Sequence, residues 1–283
     1  MEERVAVLGA GTMGRGIAQV CATFGLSTAL HDISQEVLAS AMATVEAGVI
    51  KGIERGKIPA DAVETVRESL RPVSTLEEAI DGATLVIEAA PEILELKQEI
   101  FRRVSEAVSQ DCILGSNTSS LPITEIASAV PGAERVIGLH FFNPVPAMKL
   151  VEIVRGQETS EAVLTRSLAL CERIKKEPIV VRDSPGFATS RLGVAIGLEA
   201  IRMLESGVAT VEDIDRAMEL GYRHPMGPLR LTDLVGLDVR LAIAEHLHRE
   251  IGEQFRPPEL LKQMVAEGKI GKKSGEGFYH WEP

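Results

Sequence analysis

An apolar run, Arg4-Val5-Ala6-Val7-Leu8, passes directly into Gly9-Ala10-Gly11-Thr12-Met13-Gly14. A short run of that kind reads as a buried parallel strand, and a helical pattern follows from about Gly14 to Phe24, stopped by Gly25. A G-x-G-x-x-G turn joining strand to helix tolerates few folds. Gly9 allows the tight turn, Gly11 lets the backbone approach a pyrophosphate, and Gly14 lets helix and strand pack closely. The helix-start N–H groups, including those of Thr12 and Met13, then face the phosphates with the positive end of the helix dipole. The next strand, Ser27 to His31, ends at Asp32, so the context of a dinucleotide-binding turn is complete. A carboxylate at Asp32 accepts from both ribose hydroxyls and repels a 2′-phosphate, and no arginine follows closely to neutralise one. NAD is therefore expected over NADP. The competing role for Asp32 is to cap the following helix, which Ser34 can do instead.

The alternation continues. A long helix is expected from about Ser34 to Arg55, a strand at Thr84–Glu88, a helix after Pro91, and strands at Cys112–Gly115 and Val136–Leu139. This pattern predicts an α/β fold: a Rossmann-type, doubly wound, mostly parallel sheet. Pro185-Gly186 interrupts the chain, and the remainder reads as helices at about 187–205, 211–220, 230–251 and 257–267. The expected organisation is an NAD-binding domain over residues 1–184 and an all-α domain over 185–283 that covers the cleft and offers a dimer surface.

Composition excludes several classes. The net charge of −11 gives no basic surface for nucleic acid. No uninterrupted apolar stretch is long enough for a membrane span. Met1-Glu2-Glu3-Arg4 runs straight into the first strand, so no secretory leader is expected. Cys21, Cys112 and Cys171 lie far apart, which fits core thiols in a reducing, cytoplasmic setting.

The most chemical stretch runs from His140-Phe141-Phe142-Asn143-Pro144 to Lys149-Leu150-Val151-Glu152. If its two strands fold back antiparallel about Pro146, His140 faces Glu152 across the pair, within reach of a hydrogen bond. A nicotinamide-dependent oxidation needs a group to take a hydroxyl proton as hydride leaves, and histidine titrates in the right range. The carboxylate would fix its tautomer and stabilise the imidazolium. Ser116-Asn117-Thr118-Ser119-Ser120 follows another strand at the same sheet edge. Its hydroxyls and amides either bind substrate or nicotinamide or cap the helix starting near Pro122.

These motifs closely resemble the 3-hydroxyacyl-CoA dehydrogenase family, especially its short 3-hydroxybutyryl-CoA members. The resemblance also rests on Glu88-Ala89-Ala90-Pro91-Glu92 with Lys97, Asp183-Ser184-Pro185-Gly186-Phe187, His224-Pro225-Met226-Gly227-Pro228, and Gly271 to Tyr279. It implies a homodimer catalysing reversible, NAD-linked oxidation of an L-3-hydroxyacyl-CoA in fatty-acid metabolism. It implies His140 as base, Glu152 as its partner, and Ser119 and Asn143 at substrate and nicotinamide. Glu92 and Lys97 would line the cofactor and CoA site, and Lys273 would reach toward the cofactor. CoA phosphates need cations, for which Lys51, Arg55 and Lys57 at the end of the second helix are candidates, or simply a solvated basic helix end. Two positions depart from the family: Ser190 stands before Arg191 where asparagine is usual, and Gly48 near a CoA-contacting serine. The alternatives are a dehydrogenase of a free sugar acid of the L-gulonate type and a crystallin-like NADH binder without turnover.

Overall fold

The computed structural model describes residues 3–282; the leader expectation at Met1 and Glu2 falls outside them. The chain divides between Asp183 and Ser184 into two compact units.

The first unit is built on eight strands: β1 (Arg4–Leu8), β2 (Ser27–His31), β3 (Leu70–Val73), β4 (Leu85–Glu88), β5 (Ile113–Ser116), β6 (Val136–Phe141), β7 (Leu150–Arg155) and β8 (Glu177–Arg182). Their order is β3-β2-β1-β4-β5-β6-β7-β8. The first six run parallel, which is the doubly wound arrangement, with the order of strand addition reversing between β1 and β4. β7 is antiparallel to β6, and β8 parallel to β7. The helices are α1 (Thr12–Thr23), α2 (Gln35–Glu54), α3 (Ala62–Ser69), α4 (Leu76–Ile80), α5 (Leu94–Ala107), α6 (Ile123–Ala127) and α7 (Glu161–Arg173). Val5, Val7, Ile17, Leu30, Ile87, Ile137 and Phe141 join one buried core, as the near-continuous apolar strands require. α2 is capped by Ser34, whose hydroxyl accepts from the Val37 amide, so Asp32 is released from that duty.

Two strands were not expected. β3 (Leu-Arg-Pro-Val) and β8 (Glu-Pro-Ile-Val-Val-Arg) each contain a proline, and both lie at the sheet borders, where a missing N–H is tolerated.

The second unit comprises α8 (Thr189–Glu205), α9 (Val211–Arg216), α10 (Pro228–Val235), α11 (Leu237–Glu250) and α12 (Glu259–Ala266). The single helix expected at 230–251 is two, because Gly236 takes a φ of 102°, outside the helical region. Val194, Leu198, Ile201, Leu229, Leu247 and Leu261 form its core. Two buried carboxylates fasten it. Asp215 accepts from the Leu229 and Arg230 amides at the start of α10. Asp233, 1% exposed, accepts from the Phe278 and Tyr279 amides and from the indole N–H of Trp281.

Asp233→Ala strands three donors, at a cost of about 2–4 kcal/mol. Because Trp281 is the sole tryptophan, its emission should shift to the red below the wild-type melting point. Unchanged emission and melting would show that Asp233 does not hold the terminal segment.

Candidate active site

The turn after β1 is tight in the way its glycines demand. Gly9 has a φ of 104° and donates its N–H to the His31 carbonyl at 2.8 Å. A Cβ on Gly9 would lie 2.6 Å from the Ala89 carbonyl oxygen, and one on Gly14 would land on the Gly9 carbonyl oxygen. At Gly11, by contrast, a Cβ would meet nothing within 4 Å. Glycine there is not required by the protein's own packing. Gly11 is also the N-cap of α1, with no side chain bonded to the helix start and no acidic residue in the first turn. The helix N-terminus at Thr12 and Met13 thus keeps its positive end for a phosphate, and the residues fit a dinucleotide. Asp32 ties this turn to β2: its Oδ2 accepts from the Ala10 amide at 2.8 Å and its Oδ1 from the Ser34 amide at 3.0 Å. Each carboxylate oxygen has a second lone pair, so ribose hydroxyls can still donate to an acceptor already locked in place.

At the far side of the same sheet edge, β6 and β7 pair in the expected register, with His140 opposite Glu152. The His140 Nδ1 lies 2.7 Å from Glu152 Oε2. Glu152 is fully buried and His140 6% exposed. Gly138, two residues earlier, pairs with Val154. A Cβ on Gly138 would come within 2.7 Å of the Val154 Cβ, so glycine lets the strands close in this register. The Phe142 ring packs 4.3 Å from the imidazole, centroid to centroid.

The loop after β5 is gathered onto one carboxylate. Glu92 Oε1 accepts from the Thr118 hydroxyl at 2.7 Å, the Ser119 amide at 2.8 Å and the Ser120 amide at 3.2 Å, with both serine hydroxyls also in range. Burial pushes the Glu92 carboxyl up, but the Lys97 ammonium, the Thr118 hydroxyl and the Ser119 amide outweigh it and leave its pKa below the usual glutamate value. Thr118 also accepts from the Leu121 amide at 2.9 Å, so the loop both presents Ser119 and caps the segment ahead of α6.

The other expected residues are spread over both units. Asn143 is exposed just beyond β6. Lys97 is 1% exposed, its ammonium 2.7 Å from Glu88 and 3.4 Å from Glu92. Lys51, Arg55 and Lys57 are exposed at and beyond the end of α2. Gly48, on α2, lies where a Cβ would come 3.1 Å from the Gln19 side-chain amide, so Gln19 occupies the space of the missing serine. Ser190, in the first turn of α8, and Lys273 belong to the second unit; there the Lys273 ammonium bonds Asp238 at 2.6 Å. Sequence reasoning gave no role to Glu88, and placed Asn117 only within a segment that binds ligand or caps a helix. Asn117 Oδ1 accepts from the Phe141 amide at 3.0 Å, pinning the loop to the strand that carries His140. The one available signal for Glu88 was a charged residue closing an otherwise apolar strand.

Residues 4–184 match the family model for the NAD-binding domain of 3-hydroxyacyl-CoA dehydrogenase, and residues 186–281 match that for its C-terminal domain. The chain is 43% identical over 281 residues to a probable 3-hydroxybutyryl-CoA dehydrogenase of Bacillus subtilis, covering 99% of this chain and 98% of that protein. It is 42% identical to a 3-hydroxyadipyl-CoA dehydrogenase of Escherichia coli, covering 99% of this chain and 59% of that longer protein. The crystal structure of an (S)-3-hydroxybutyryl-CoA dehydrogenase from Ralstonia eutropha superposes with a TM-score of 0.95 at 39% identity, over 100% of both chains.

The glycine geometry separates two substitutions. Gly11→Ala should keep stability within about 1 kcal/mol while weakening NADH binding, measured by fluorescence titration, by roughly tenfold. Gly14→Ala should instead cost about 3 kcal/mol or more by overpacking against Gly9. Equal NADH affinity in Gly11→Ala would remove Gly11 from the phosphate site.

Proposed function

Because the chain belongs to the 3-hydroxyacyl-CoA dehydrogenase family, we propose that it oxidises the 3-hydroxyl of an L-3-hydroxyacyl-CoA, with 3-hydroxybutyryl-CoA the substrate its relatives' names favour. The carrying observation is the buried 2.7 Å contact between His140 and Glu152 at the ligand-binding edge of the sheet. A carboxylate facing Nδ1 selects the tautomer with its proton there, which makes Nε2 the basic nitrogen. Nε2 takes the 3-hydroxyl proton as the C3–H bond breaks, and the C–O bond becomes a carbonyl. The turn at Gly9, Gly11 and Gly14 with Asp32 would hold NAD, which would supply the acceptor for the hydride leaving C3. Glu152 stabilises the imidazolium without itself taking the proton. On reduction the same imidazolium returns its proton to the carbonyl oxygen. Ser119 and Asn143, on the loops after β5 and β6, are the residues we assign to the reacting oxygen and the nicotinamide. Remote contacts to the CoA handle position a small acyl group, so truncating that handle should depress turnover as well as affinity.

Association into a homodimer belongs to the same proposal. The second unit exposes Leu192 (63%) and Ile196 on α8, together with Leu231, Leu234 and Val235 on α10. Exposed apolar side chains on two helices that contact each other support this reading. Among the described residues no helix is long and apolar enough to cross a membrane. The three free cysteines are buried, and burial holds each thiol above its ordinary pKa, which suits the reducing cytoplasm we propose as its location.

His140→Gln should lower turnover of 3-hydroxybutyryl-CoA by roughly 10²–10⁴-fold, followed by nicotinamide absorbance, with NADH affinity retained. Normal turnover in that variant would remove the base. Rates across acyl-CoA lengths, a dicarboxylyl-CoA included, fix the substrate; activity confined to free hydroxy acids would overturn the CoA assignment. Light scattering should return the mass of two chains, and the mass of one would refute the dimer.

A further inference from the structure

Beneath the Ser119 loop three charges meet in a space where only one of them reaches solvent. Glu88, the last residue of β4, is 0% exposed, and Lys97 on α5 is 1% exposed. Glu88 uses both oxygens. Oε1 accepts from the Lys97 ammonium at 2.7 Å and the Ala90 amide at 2.6 Å, and Oε2 accepts from the Ser116 hydroxyl at 2.7 Å. The Ser116 oxygen in turn accepts from the Thr118 amide at 3.2 Å, and the Glu88 carbonyl accepts from the Asn117 amide at 2.8 Å. A buried ion pair is a poor source of stability, since apolar packing usually serves as well. Its use here lies in an asymmetry: Lys97 is 2.7 Å from Glu88 but 3.4 Å from Glu92. The ammonium sits closer to Glu88 and meets Glu92 only at Oε2, which leaves Oε1 to the Thr118, Ser119 and Ser120 donors.

We propose that Glu88 is a positioning residue for the reaction: it anchors Lys97 so that the ammonium reaches only the Oε2 of Glu92, and Glu92 Oε1 fixes the Ser119 loop at the reacting oxygen. The link from this loop to the chemistry rests on the function proposed above. Without the Glu88 charge, the buried ammonium has one carboxylate left. It closes on Glu92 and draws that side chain from the loop amides.

Glu88→Gln tests this with little change of shape, because the glutamine oxygen can face Lys97 and its NH2 can donate to Ser116. Two readouts are needed. In amide hydrogen exchange of the full chain, the Ser119 and Ser120 amides should lose protection about tenfold while those of β1 and β2 keep theirs. A purely structural role would lower protection across the sheet, and unchanged exchange at 119–120 would overturn the inference whatever the substrate is. In a double-mutant cycle, Glu88→Gln should lower kcat/KM about tenfold in the wild type and less than twofold in Ser119→Ala. Additive losses would overturn it. Absence of wild-type turnover with any acyl-CoA would count against the function reading and leave the exchange result to decide this one. Should Glu88→Gln fail to fold, Ser116→Ala loosens the same carboxylate without changing charge, and must loosen the same two amides for the inference to stand.

Discussion

A side chain opposite its partner in an antiparallel pair sits within about 5.5 Å at Cβ and on the same face, so a short carboxylate arm suffices to reach an imidazole. The reversal between β6 and β7 supplies that relation at the edge where the parallel strands end. A slip of one residue would turn Glu152 to the opposite face of the sheet. Gly138 guards against such a slip, since its neighbour Val154 leaves no room for a side chain. The nucleotide turn at β1 and the histidine at β6 then share one edge because every strand from β1 to β6 has the same direction.

A second device recurs through both units: a carboxylate, buried at Asp215 and Asp233 and partly open at Asp32 and Glu92, collects main-chain N–H groups and ties separate segments together. Asp32 joins the glycine turn to the start of α2, Glu92 gathers the 118–120 loop, Asp215 receives the start of α10, and Asp233 takes the terminal segment. Bonds from backbone donors to an ionised acceptor are short and strong, and they order loops that carry few apolar side chains. The acidic balance of the chain is thus partly internal architecture, not only solvated surface.

Much of this was legible from residue order. The glycine turn, the buried strands β1, β2, β4, β5 and β6, and the pairing of His140 with Glu152 follow from local pattern and from the symmetry of a hairpin. β3 and β8 were not legible, because a proline-bearing run becomes a strand only when a sheet border accepts it. The break at Gly236 was hidden by apolar positions that keep helical spacing on both sides. Glu88 was only half legible: a charge closing an apolar strand marks the position, but its partners, Lys97 and Ser116, are brought to it by separate elements. The ammonium groups of Lys97 and Lys273, expected to face ligands, each bond an acid within their own unit.

The placement of Pro72 and Pro178 has a consequence for how copies of this chain can meet. An outermost strand is a template on which another chain can add hydrogen bonds without limit, and β8 exposes Ile179 and Val180 as well. With a proline in each border strand, both templates lack a donor, and growth by strand addition is disfavoured on either side. Open-ended stacking of one sheet on the next is thereby blocked at both borders.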